Sequence, residues 1–217
     1  MYGGSGVTQF SFTLVERGTG RRNTFWTSGT VPMLTPNDIH LHHVLEGIDL
    51  LFVDGHHPEA QTALASAARE RGITVVFGAS SMTQGARTLV ALSDVLIASE
   101  RFSSQCSGIG RPDDALNALF KLGPSTVVIT MGQEGSMGSD GDTIWRQAAR
   151  HSEAKIDNLG AGDIYRGAFT YAWMSGAGLQ ACMQIATIAA SLSLKGLGPR
   201  SDMPTREDLQ SALKDRP

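Results

Sequence analysis

Residues 158–169 read NLGAGDIYRGAF, three small residues and a carboxylate set at the opening of a stretch that otherwise reads as a helix. Amides at a helix start lack partners inside the helix and carry a partial positive charge. Gly160, Ala161 and Gly162 can therefore turn N–H groups toward a bound anion. Asp163 falls in the first turn beside that anion, where a carboxylate can accept a proton from a hydroxyl. Anion cradle and base together are equipment for phosphoryl transfer to an alcohol. The same residues would also serve a capped helix start whose Asp163 only complements the macrodipole, so the surrounding elements must decide.

Those elements read as an α/β layer. IDLLFVDG and ITVVFGAS are compact apolar runs flanking the helical pattern PEAQTALASAARERG, which is a β-α-β unit. Apolar runs and amphipathic stretches alternate again through SDVLIASE, PDDALNALFKLG and STVVITMG, as in a mainly parallel, doubly wound sheet with helices on both faces. A hairpin is expected around SMGSDGDTIWRQ, then helices over 161–175 and 179–194 and a short one from Pro204. Near the start, TQFSFTLV alternates Phe10, Phe12 and Leu14 with polar residues, the period of a strand with one covered face. RNTFWTSG pairs with it after the turn ERGTGRR, and MYGGSG is the one flexible-looking segment. Ligands of such sheets gather at the carboxyl ends of the strands. The loops to inspect are therefore DGHHPE, GASSMTQG, ASERFSSQ, TMGQEGSMG and DNLGAGD.

Bulk properties narrow the function classes. With 217 residues, 41% hydrophobic and 18% charged, one globular domain over 1–217 is expected. A net charge of -3 without a basic run argues against nucleic acid and anionic membranes as partners. Cys106 and Cys182 are far apart and form no CxxC pair. No apolar run is long enough to span a bilayer, so a reduced, cytoplasmic protein is expected.

DNLGAGDIYRGAF resembles the C-terminal motif of the ribokinase-like, or PfkB-type, carbohydrate kinases, written D-T-x-G-A-G-D-x-F-x-G-A-F. LLFVDGHHPEA, ARERGITVVF, SDVLIASE, VVITMGQEGSMG and KGLGPRSDMPT follow in that family's order, so the likeness covers essentially the whole chain. It implies Asp163 as the base for the acceptor hydroxyl, and the amides of Gly160, Ala161 and Gly162 as the phosphoryl cradle. Thr130, Gly132 and Gly135 match the strand-end T-x-G-x-x-G that lies along the nucleotide. Ala190 and Gly198 fall at the adenine pocket. ATP and Mg²⁺ are the implied cofactors, with a monovalent cation such as K⁺ near Asp157.

The chain departs from this pattern at several points. The N-x-x-E segment that organises Mg²⁺ in many members is replaced around ASERFSS by Ser99 and Phe102, which leaves Glu100 as the oxygen ligand; ketohexokinase-like members also lack the asparagine. Gly78 stands where an aspartate is frequent, and Asn158 where threonine is usual. His40, His42 and His43 lie in HLHH without the HExxH spacing of a metal site. His56 and His57 follow a strand at the ligand edge, with His56 the substrate-facing candidate.

The sugar-recognising Gly-Gly-x-x-x-N segment and early aspartate of the family are not found. Residues 8–30 resemble the lid hairpin, so the chain is expected to be truncated at its N-terminus relative to the family. That would bare a sheet edge, which a homodimer could cover. The acceptor is expected to be a simple sugar or sugar derivative. Two rival readings stand beside this one: a non-catalytic nucleotide-binding or interaction protein derived from a sugar kinase, and a dinucleotide site. The last lacks the third glycine of GxGxxG.

Overall fold

The computed structural model describes residues 6–16, 22–150, 157–198 and 200–214. The segment MYGGSG through residue 5, the turn within ERGTGRR and the Lys155 and Ile156 that precede the GAGD loop lie outside the described residues.

Strands β1 (Phe10–Val15) and β2 (Arg22–Thr27) pair antiparallel, with Phe12 opposite Phe25. Their alternation is as read from the sequence, but the apolar face is uncovered among the described residues: Phe10, Phe12, Leu14 and Phe25 are all more than half exposed. The hairpin is a sheet of its own and shares no strand with the main one. A return segment leads past the short helix α1 (Leu41–Val44), which carries His42 and His43. This segment is tied to the main layer where the Leu34 amide donates to His57 Nδ1 at 3.1 Å.

The main sheet follows the sequence: β3 (Leu50–Val53), β4 (Thr74–Ala79), β5 (Val95–Ser99), β6 (Thr126–Thr130), β7 (Ser136–Ser139) and β8 (Ile144–Gln147) are neighbours in that order. Pairing is parallel from β3 to β6 and antiparallel from β6 to β8. Strand periodicity divides the side chains cleanly. Val75, Phe77, Leu96, Ala98, Val127 and Ile129 face one layer, while Val76, Val95, Ile97 and Val128 face the other.

On the first face lie α2 (Pro58–Glu70), α3 (Ala86–Leu92), α4 (Glu100–Ser107) and α5 (Pro112–Phe120). Proline at the first position opens α2 and α5, where its missing N–H costs nothing. The sequence pattern does not single out α3 and α4, and SDVLIASE reads as strand through Glu100. Ser99 ends that strand instead, because its hydroxyl accepts the Phe102 amide at 3.1 Å and caps α4.

The opposite face is covered by α6 (Ala161–Met174) and α7 (Leu179–Leu192), with α8 (Arg206–Lys214) closing the described chain. Along α6, Tyr165, Phe169 and Ala172 recur at helical spacing and are buried. Phe169 is fully enclosed, stacked on Tyr165 at 6.5 Å and on Trp173 at 6.0 Å. Cys106 and Cys182 are free and buried in the two different core layers, so they cannot pair. Burial pushes the Cys106 thiol up and the Cys182 thiol up to about 11. Among the described residues no helix is long and apolar enough to cross a membrane.

Because Phe169 holds α6 on the sheet, Phe169→Ala is expected to destabilise the fold by about 3–5 kcal/mol, read as a lower midpoint in urea unfolding with little change in slope.

Candidate active site

The turn into α6 is made by Gly160, whose φ of 79° lies in the left-handed region that other residues resist. From it the Asp163 and Ile164 amides both return to the Gly160 carbonyl at 2.9 Å, and the Ala161 amide bends back to Asn158 at 3.3 Å. Asp157 organises this loop from below. It is buried, and its two carboxylate oxygens accept the Leu159 amide at 2.9 Å and the Gly198 amide at 3.0 Å. The second bond brings the segment after α7, with Gly198, against the start of the GAGD turn.

On the other side, Tyr165 donates its hydroxyl to Ser136 Oγ at 2.8 Å. Ser136 follows directly on Gly135, so this bond ties the end of the Thr130–Gly135 loop to the second turn of α6. That loop is closed by the Met131 amide on the Gly135 carbonyl at 2.8 Å. Burial pushes the Tyr165 phenol above its ordinary range, leaving it a fixed donor rather than an acid.

Asp163 opens onto a cleft of about 390 Å³ lined by Phe52, Asp54, His56, Gly78, Ser80 and Arg166 among others. Strand periodicity assembles it: Phe52 and Asp54 at the end of β3, and Gly78 and Ser80 at the end of β4, all point to the α6 side. From α6 itself come Asp163, Arg166 and Thr170, three and seven residues apart on one helical face.

The polar groups are held in place. Asp54 Oδ1 accepts the Gln61 side-chain amide at 2.8 Å and the His56 amide at 3.0 Å. Burial works to raise the Asp54 carboxyl, but the Gln61 and His56 hydrogen bonds and the neighbouring His56 ring prevail and hold it below its ordinary 3.8. Arg166 is buried, donating from Nη1 to Asp163 Oδ1 and from Nη2 to Ser80 Oγ, each at 2.7 Å. Burial pushes its guanidinium below its ordinary range, and Asp163 and Asp54 pull it back toward the charged form.

Of the residues expected from the sequence, Asp163 and His56 meet at this cleft. Gly198 is bonded to Asp157 beside the turn, Thr130, Gly132 and Gly135 lie at and after the end of β6, and Ala190 lies near the end of α7, none of them in the cleft lining. Glu100 is exposed at the start of α4, outside the cleft lining. Phe102 is fully buried and packs edge-on against Phe77 at 5.8 Å. His40 and His42 each contact His43 edge-on at 6.3 Å, outside the cleft lining. Asp54, Ser80, Arg166 and Thr170 were not singled out from the sequence. A search of the two residues past each strand end, and of the positions three and seven beyond Asp163, would have found them.

Because the Asp54 carboxyl is lowered in the folded state, its stabilising effect is present above about pH 3.8 and is lost as pH falls through the native value. The stability difference between the parent and Asp54→Asn is therefore expected to be constant near neutrality and to shrink below pH 3.8, measured by urea unfolding at stepped pH.

The sequence profile of the pfkB family carbohydrate kinases matches residues 10–206. A ribokinase of Lactococcus lactis is 24% identical over 157 residues, which are 72% of this chain and 51% of the relative. The chain thus spans about half the length of that relative. In structure it is similar to ribokinase from Thermotoga maritima, with a TM-score of 0.82 and 23% identity over 97% of this chain and 71% of that one. It is also similar to Arabidopsis thaliana ribokinase complexed with ribose and ATP, with a TM-score of 0.81 and 20% identity over 97% and 70%. At these identities the two structures show a shared fold.

Proposed function

The chain belongs to the pfkB family of carbohydrate kinases, and on that premise we propose that it transfers the γ-phosphoryl group of ATP to a hydroxyl of a sugar or sugar derivative. The observation that carries this reading is Asp163. Its side chain is 81% exposed, in the first turn of α6, facing a polar cleft at the carboxyl ends of the strands.

In this reading the acceptor sits among Asp54, His56, Ser80 and Thr170, a set of oxygen and nitrogen groups that suits a polyhydroxy compound. Asp163 takes the proton of the attacking hydroxyl. The acceptor oxygen bonds to the γ-phosphorus while the bond to the bridging oxygen breaks, and ADP leaves. The helix start at Gly160, Ala161 and Gly162 stabilises charge on the equatorial oxygens, with the amides of Gly160 and Gly162 best disposed because that of Ala161 already turns to Asn158. The triphosphate would run between the Thr130–Gly135 loop and Gly198, with adenine toward Ala190.

Mg²⁺ neutralises phosphate charge when bound with ATP. The family's ligand positions fit it poorly here. The Ser99 hydroxyl caps α4 and Phe102 is in the core, so Glu100 alone could reach an ion held mostly by ATP oxygens and water. Asp157 has both oxygens engaged by amides, which suits a loop anchor, and no step is assigned to K⁺.

The uncovered face of Phe10, Phe12, Leu14 and Phe25 favours the lid hairpin as a contact between two copies, in line with a homodimer. The rival, non-catalytic reading draws on Ser99, Phe102 and Gly78.

A coupled assay for ADP release over a panel of sugars, sugar acids and nucleosides separates the two. Asp163→Asn is expected to lower acceptor-dependent turnover on the order of a hundredfold or more. A variant within about tenfold of the parent would refute the base assignment. Calorimetric ATP binding by the parent, with no acceptor-dependent ADP release across the panel, would establish the non-catalytic reading.

A further inference from the structure

Asp163 poses a mechanical problem, since a side chain 81% exposed is not held by packing. An ordinary surface ion pair would orient it weakly. Arg166 differs from an ordinary partner because its own side chain is only 10% exposed and is fixed at two points. Nη1 reaches Asp163 Oδ1 and Nη2 reaches Ser80 Oγ, both at 2.7 Å. A guanidinium is planar and rigid, so anchoring one nitrogen on Ser80 fixes where the other places the carboxylate.

The anchor is itself anchored. The Ser80 carbonyl accepts the Ser99 hydroxyl at 2.7 Å, and Ser99 Oγ accepts the Phe102 amide at 3.1 Å. A line of hydrogen bonds therefore runs from the start of α4, across the ends of β5 and β4, to the first turns of α6. Below it lies Gly78. A Cβ added there would fall 2.4 Å from Phe52 Cζ and 2.8 Å from Arg166 Cδ. Any side chain at position 78 would displace the stem of Arg166 or the Phe52 ring, so Arg166 in this place requires a glycine there.

We propose that Arg166 is the positioning residue for Asp163. It holds Oδ1, so that Oδ2 is the oxygen presented to the acceptor, and Gly78 supplies the opening through which its stem passes. This rests on Asp163 being the base.

Steady-state kinetics of Arg166→Ala, Arg166→Lys and Gly78→Ala, each first checked for a cooperative thermal transition, test the proposal. Misplacing a base by about 1 Å can cost on the order of a hundredfold. Arg166→Ala is therefore expected to lower kcat by roughly ten- to a hundredfold, with KM for ATP within about threefold, the split that marks a transition-state effect. Arg166→Lys keeps the charge but not the fork and should recover only part of the loss. Added guanidinium ion should partly rescue Arg166→Ala but leave the parent unchanged, a response that a merely structural role would not give. Gly78→Ala should reproduce the kcat loss.

A folded Arg166→Ala with kcat within about threefold of the parent overturns the proposal, as does full recovery in Arg166→Lys. If the parent releases no ADP with any acceptor, the kinase reading fails. The positioning inference is then decided by the crystal structure of Arg166→Ala, in which the Asp163 carboxylate should leave its present rotamer. Finding it unmoved overturns the inference.

Discussion

Tyr165 gives its hydroxyl to Ser136 inside the core, Phe169 is enclosed between Tyr165 and Trp173, and Arg166 reaches Ser80 across the strand ends. These three contacts come from one face and one flank of α6, and together they fix the height and rotation of that helix on the sheet. The cleft depends on this docking, because α6 supplies both the anion-favouring turn at Gly160 and the carboxylate of Asp163. A shift of one residue along the axis would turn a helical face by about 100° and carry Asp163 out of the cleft.

The electrostatics are arranged around that docking. Two carboxylates, Asp54 and Asp163, share the cleft with a single buried cation, Arg166. A buried guanidinium survives only with partners, and it has two acceptors at hydrogen-bond distance. The positive end of α6 lies at the same edge, which favours negative charge there.

Much of this was legible in the sequence. The parallel order of β3 to β6 follows from continuous apolar strands divided by Ala-rich and Leu-rich helices, and α2, α6 and α7 fall within two residues of the expected bounds. Gly160 was identifiable as the turn into α6 from the small residues around it, although the same residues also suit a plain capped helix start. The hairpin strands were recognisable from their period of two, although that period predicts a covered face where Phe10, Phe12 and Leu14 stand exposed. Alternation reports that a strand has two unlike faces; it carries no information on what lies against either.

The residues around Asp163 were legible only in part. Gly78, Ser99 and Phe102 read from the sequence as three separate departures from a family pattern. In the fold, Gly78 gives room to Arg166, Ser99 fastens Ser80, and Phe102 lies in the core against Phe77. The chain's local chemistry, set by backbone geometry and side-chain type, determined the secondary structure, the parallel sheet and the anion-favouring turn with its carboxylate. Helical spacing alone puts Arg166 one turn from Asp163, but only the tertiary structure decided that Asp54 and Ser80 would join them at the cleft. Their meeting depends on the register of β3 against β4, whose paired residues lie 24 positions apart, and on the rotation of α6, which binds Ser80 across 86 residues of chain.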